Sequence, residues 1–115
     1  GVVFRLYNAA FSRLPDSAGL ENWINANSNG SRTYAASAKE FSESQEFKNR
    51  YGANVTDTQF ITTMYNNVLE RDPDPTGLAH YKGLLADGKT RGGLLLDFSE
   101  SPENRDLFKD VTGLS

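Results

Sequence analysis

The chain is written twice, and that restricts its fold more than any other feature. Adding 58 to the early numbers places Tyr7 on Tyr65, Asn8 on Asn66, Arg13 on Arg71, Pro15 on Pro73, Asp16 on Asp74, Gly19 on Gly77, Leu20 on Leu78 and Gly30 on Gly88. One residue is then lost. At an offset of 57, Thr33 meets Thr90, Phe41 meets Phe98, Ser42 to Ser44 meet Ser99 to Ser101, and Glu46 meets Glu103. An ordered run of identities at a fixed period means one supersecondary unit used twice, each copy covering an apolar face that the other leaves open.

The spacing of apolar residues identifies the unit. Val3, Leu6, Tyr7, Ala10 and Phe11 recur at i, i+3, i+4, i+7 and i+8, and Ile61, Met64, Tyr65, Val68 and Leu69 reproduce that stripe 58 positions later. That is the period of an amphipathic helix. An Arg-x-Pro-Asp turn follows each stripe, then a second helix faced by Leu20, Trp23 and Ile24 in one copy and by Leu78, Tyr81 and Leu85 in the other. Gly30 and Gly88 stand where helices commonly stop. A third helix runs to about Phe41 or Phe98, and Ser44 and Ser101 cap a fourth, with Pro102 in its first turn. Phe47 and Tyr51, and then Leu107 and Phe108, give the fourth helices their apolar side, with Asn104 standing where the first copy has Phe47. Between the copies Gly52 ends one helix and Asp57 caps the next. No strand alternation occurs. The expectation is an all-α fold of about eight short helices: two tandem four-helix halves, about 1–52 and 57–110, packed into one globular domain spanning 1–115.

Bulk properties narrow the class. A length of 115 residues suits one domain with its own core, and 37% hydrophobic, 11% aromatic and 23% charged residues are globular values. Twelve basic against fifteen acidic residues, with no basic cluster, leave nothing to neutralise a phosphate backbone, so no nucleic-acid partner is expected. The longest apolar run, Leu94 to Leu96, is far from the roughly 20 residues of a transmembrane helix. A helical pattern begins directly after Gly1 with no initiator Met, so the chain reads as a segment of something longer. There is no cysteine, which removes disulfides and thiolate chemistry.

The turn "RDPDPTG" poses the main chemical question. Asp72, Asp74 and Thr76, followed by Gly77, match the opening half of a calcium-binding EF-hand loop. The match ends there: the twelfth position is Gly83 rather than Glu, and the first copy begins with Leu14. The reading that covers both copies is helix capping. Asp16 and Asp74 stand at N-cap positions, Pro75 at the first helical position, and Gly19 and Gly77 present the N–H that each carboxylate accepts while leaving room for another helix. No cofactor is expected, calcium remaining the one candidate. Arg13 and Arg71 end the first helices, and Glu46 and Glu103 open the fourth; since both members are duplicated at a nearly constant separation, each arginine is expected to bridge to the glutamate of its own half.

Catalytic equipment is sparse. His80 is the lone histidine and its counterpart is Asn22, Gly92-Gly93 lacks the lysine of a phosphate loop, and Glu40, Glu43 and Glu46 have the spacing of a solvated face. The chain is not expected to be an enzyme. Tyr34, standing where the second copy has Arg91, is the aromatic most suited to exposure, and with Asn27 and Asn29 it forms the candidate ligand contact.

The paired pattern, "LYNAAFSRLPDSAGLENW" then "FSESQEF" and "MYNNVLERDPDPTGLAHY" then "FSESPE", resembles a family of repeated helical domains of unassigned function found in large secreted bacterial proteins of the RTX, adhesin and S-layer types. It is similar in turn to the helical domain of phycobilisome linkers. The resemblance implies an extracellular or cell-surface location and a non-catalytic structural or interaction role, with other protein domains or further copies of the parent as partners. It carries no catalytic residues. The alternative is a carbohydrate-binding module that meets cell-surface glycan through Tyr34 and the Asn-rich loop.

Overall fold

The computed structural model describes residues 2–19, 21 and 33–114, and among them every regular element is a helix. In chain order these are α1 (Val2–Phe11), α2 (Tyr34–Glu43), α3 (Gln45–Tyr51), α4 (Asp57–Met64), which runs on into a π-helical turn (Tyr65–Leu69), α5 (Pro75–Ala86), α6 (Arg91–Ser99) and α7 (Pro102–Thr112). Helix also begins at Ser17, directly after Asp16. Leu20, Trp23, Ile24 and Gly30, on which the second helix of the first copy was expected to rest, lie outside the described residues.

The repeated polar identities are the punctuation of these helices. Thr33 and Thr90 cap α2 and α6, their hydroxyls accepting the N–H of Ala36 at 3.1 Å and of Gly93 at 2.9 Å. Ser44 and Ser101 do more. Each accepts the N–H three residues on, at 3.2 Å, and donates its hydroxyl to the carbonyl of Phe41 or Phe98, so one side chain closes the old helix and opens the new. Gly52 and Gly113 end α3 and α7 at φ 93° and 72°, and Gly88 follows α5 at φ 108°.

Two expectations need correction. Thr56, not Asp57, caps α4: its hydroxyl accepts from Gln59 N at 3.1 Å while the Gln59 side chain accepts from Thr56 N at 2.9 Å, a reciprocal capping box. Asp57 is the first helical residue and pairs with Arg91 at 3.1 Å. The second stripe is also not α-helical throughout, because its last five residues, from Tyr65, form the π turn while the equivalent Tyr7 to Phe11 stay α-helical.

The two copies meet through equivalent helices. α2 packs most extensively on α6, with α1 laid across α6 as well. Gly92 makes this approach possible: a Cβ there would lie 3.0 Å from Lys39 Cα and 3.1 Å from both Ala38 O and Lys39 N, so any side chain would push two helix backbones apart. Residues of both copies enter one buried cluster, including Leu6, Ala38, Phe60, Ile61, Met64, Leu94, Leu95 and Phe98. Three aromatic groups frame it. Tyr7, Phe11 and Phe41 meet edge to face in the first copy, and Tyr65, Tyr81 and Phe98 meet in the second. Phe47, stacked on Tyr51 at 4.2 Å, joins the copies by packing against Phe60. Asn104, which replaces Phe47 in the second copy, is buried too and donates to the Ser99 carbonyl at 2.7 Å, fixing the α6–α7 corner by a hydrogen bond instead of by ring packing.

Candidate functional site

The conspicuous duplicated constellation is the arginine turn. In the first copy Arg13 donates from Nε and Nη2 to the two carboxylate oxygens of Glu46, at 3.1 and 2.9 Å. In the second Arg71 does the same to Glu103, at 2.8 and 3.0 Å. This fork-on-fork geometry fixes orientation as well as charge. Each guanidinium also lies over the tyrosine of its own copy, Arg13 at 5.0 Å from the Tyr7 ring centre and Arg71 at 4.9 Å from that of Tyr65. The spacing Tyr-x-x-x-x-x-Arg thus places a ring beneath a cation, and the Glu two residues after the capping serine closes the set.

Electrostatics follow the geometry. Hydrogen bonding to Arg71 holds the Glu103 carboxyl below its ordinary range, against a small opposing effect of burial. The same contact raises the Arg71 guanidinium, as Glu46 raises that of Arg13. All four side chains are more than two-fifths exposed, so water and salt weaken these pairs.

The aspartates act locally. Gly19 N donates to Asp16 Oδ1 at 2.6 Å and Gly77 N to Asp74 Oδ2 at 3.4 Å. Gly77 has a second reason to be glycine: a Cβ there would overlap the Tyr65 hydroxyl. At Gly19, among the described residues, such an atom would meet only Asp16, so the close approach to a tyrosine hydroxyl is seen in the second copy. The calcium candidates do not converge. Asp72 Oδ1 accepts the Asn66 amide at 2.9 Å, Asp74 is turned to its cap, and Thr76 is exposed two residues further on. Among the described residues no group of three or more His, Cys, Asp or Glu is placed to hold a metal ion.

The remaining candidates are scattered. Tyr34 opens α2 and is 45% exposed. Asn27 and Asn29 lie outside the described residues. His80 is exposed and stands edge-on to Tyr81.

Sequence reasoning overlooked two arginines. Arg5, 6% exposed in the middle of α1, donates to Glu100 at 3.0 and 2.7 Å and ties the first helix of one copy to the end of the third helix of the other. Burial alone would raise the Glu100 carboxyl; the hydrogen bonds from Arg5 and Ser99 and the charges of Arg5 and Arg105 outweigh it and hold it low. The signal was present, since Arg5 interrupts an apolar helix where the duplication offers Thr63. Arg91 covers the Phe60 ring at 4.9 Å and donates to the Val55 carbonyl at 2.8 Å, binding α6 to the segment between the copies.

A family model described as a domain of unknown function (DUF4214) matches the chain twice, over residues 3–48 and 36–108. Comparison with curated proteins and with solved structures gave no match.

Proposed function

The chain belongs to this domain family of unknown function, and we propose that it serves as a non-catalytic structural or interaction module of a secreted or cell-surface bacterial protein. One observation carries the reading: in both copies the charged residues that make the motif conspicuous are committed to one another, Arg13 to Glu46 and Arg71 to Glu103, with Asp16 and Asp74 on helix caps. Groups employed in this way shape a rigid block whose outer faces meet neighbouring domains or further copies. Its all-helical build and the absence, among the described residues, of any helix able to cross a membrane fit such a role.

The test replaces both arginines, as Arg13→Ala/Arg71→Ala, and follows thermal unfolding by circular dichroism at low and high salt. The structural role requires a lower melting temperature, with the deficit shrinking as salt screens the pairs in the parent chain. An unchanged melting temperature would remove the support. Sedimentation velocity over a range of concentrations asks in addition whether copies of the chain are partners.

A second reading, a carbohydrate-binding module, rests on the exposed ring of Tyr34. Saturable, sugar-dependent NMR shifts centred on Tyr34 would favour it.

A further inference from the structure

Away from the arginine turns, a cleft of about 260 Å³ opens between α1, the π turn and α7. Three departures from regular helix converge there. Asn67 and Val68 of its wall belong to the π turn, which the first copy lacks. Single π turns occur often at functional sites because they re-aim side chains that an α-helix would place elsewhere. Ser12 and Glu70, also in the wall, are the two non-glycine residues with left-handed backbone among the described residues, at φ 54° and 57°, and they are the same position in the two copies. The fold holds both strained residues at the rim of one opening.

The chemistry of the lining selects a ligand class. Asn8 and Asn67 supply carboxamides, the latter also reaching the Tyr51 hydroxyl, Glu70 supplies a carboxylate, and Leu107 and Val111 an apolar side, while the amide of Asn104 in the wall is spent on the Ser99 carbonyl. Among the described residues no lysine or arginine lines the cleft, the adjacent Arg50 guanidinium being engaged by the Ser12 hydroxyl, so an anion finds no uncommitted counter-charge in the wall, and a single carboxylate at the rim is a poor cage for a cation. Phe108 is only 3% exposed, so no ring face is available for stacking a flat base. Carboxamides and a carboxylate beside aliphatic side chains are suited to a molecule whose edge carries adjacent hydroxyls and whose face carries C–H groups. The volume lies below the range of drug-sized ligand pockets and equals that of roughly nine waters of about 30 Å³ each, which limits the occupant to about one sugar ring.

Among the described residues the side chains of Asn8 and Glu70 are in no hydrogen bond or ion pair, although Asn66, the repeat partner of Asn8, is held by Asp72. Val111 is 75% exposed at the cleft and Leu107 half-buried, where the first copy has the polar Asn54 and Arg50. The second copy therefore departs from the first in the way that would build a binding face. We propose that the cleft between α1, the π turn and α7 binds a single neutral sugar residue, with Asn8, Asn67 and Glu70 holding the hydroxyls and Val111 and Leu107 against the ring. This site is separate from Tyr34, and the structural role of the arginine turns stands whatever the cleft binds.

The test is an NMR titration of the isotope-labelled chain with methyl glucoside, methyl galactoside, methyl mannoside and N-acetylglucosamine, and in parallel with ethylammonium and inorganic phosphate. The expected result is saturable, millimolar binding of at least one sugar, with shifts confined to Asn8, to residues 67–70 and to residues 107–112. Asn8→Ala and Val111→Lys are each expected to weaken it at least tenfold; Val111→Lys alters a solvent-exposed helical position and retains the fold, so the test stands even if Asn8→Ala does not fold. Absence of sugar shifts, shifts centred elsewhere, equal binding by both variants, or comparable binding of ethylammonium or phosphate would overturn the proposal.

Discussion

Glu100→Gln tests how the two copies are locked together. The substitution keeps the shape of the side chain and removes its charge, so the Arg5 guanidinium, whose side chain is 8% exposed, loses the carboxylate that receives its two hydrogen bonds. Breaking a fully buried ion pair costs about 3–5 kcal/mol, and hydrogen bonds to charged groups contribute about 1.5–3 kcal/mol. Glu100 is 23% exposed and the amide oxygen of Gln still accepts one bond, so the expected loss is about 2 kcal/mol. A natural control exists in Glu43, the repeat partner of Glu100, which makes an exposed i,i+4 pair with Lys39. Glu43→Gln should cost at most about 0.5 kcal/mol.

Urea denaturation at neutral pH separates the two: about 2 kcal/mol lowers the midpoint by about 1 M, whereas the control moves by a few tenths. The pH dependence has a fixed sign. Because the folded protein holds Glu100 below its ordinary value, the stabilisation is whole above that ordinary value and disappears as pH falls through the lowered one, so wild type and Glu100→Gln should converge in acid. Equal midpoint shifts for the two variants at neutral pH, or a gap that persists once Glu100 is protonated, would refute the argument.

Other outcomes follow from close packing and burial. Gly92→Val should destabilise by about 1–3 kcal/mol, because its neighbours at 3.0–3.1 Å are the backbone atoms of α2, whereas Gly83→Ala, whose added Cβ would meet nothing within 4 Å among the described residues, should gain up to about 1 kcal/mol of helix propensity; chemical denaturation reads both. Burial raises the Tyr51 phenol to about 12, and its hydroxyl donates to the Ala9 carbonyl at 2.8 Å. Stability from this group is therefore intact below the ordinary tyrosine value of about 10 and is lost as pH climbs toward about 12; burial also raises Tyr65 and Tyr81, so absorbance at alkaline pH should show a late-ionising fraction that includes Tyr51, and five tyrosines titrating together would count against it. Calcium or a chelator should leave the melting temperature unchanged, because Asp72 and Asp74 are engaged by Asn66 and Gly77 N; a rise with calcium would reverse the capping interpretation.

Much of the architecture was legible in the chain because duplication makes local signals unambiguous. A capping serine or threonine repeated at the same place satisfies the same orphaned N–H groups, and an Arg and a Glu repeated together can be paired by inspection. Asp57 shows the limit. Two adjacent residues able to cap stood side by side, and Gln59, by completing the box, favoured Thr56. The π turn gave no warning either, since Tyr65 to Leu69 carry the same apolar stripe as the α-helical residues they repeat.

By itself the sequence determined the helical class, most of the caps, the doubling of the unit and the arginine turns, all of which depend on groups close in the chain or repeated with it. Only tertiary structure decided how one copy faces the other: Gly92 on the α2 backbone, Arg5 reaching Glu100 across 95 positions, and the cleft left between α1, the π turn and α7. The physical reason is that local pattern fixes which face of a helix is apolar, whereas the partner of that face, and any opening left beside it, depends on how side chains distant in sequence fill a shared volume.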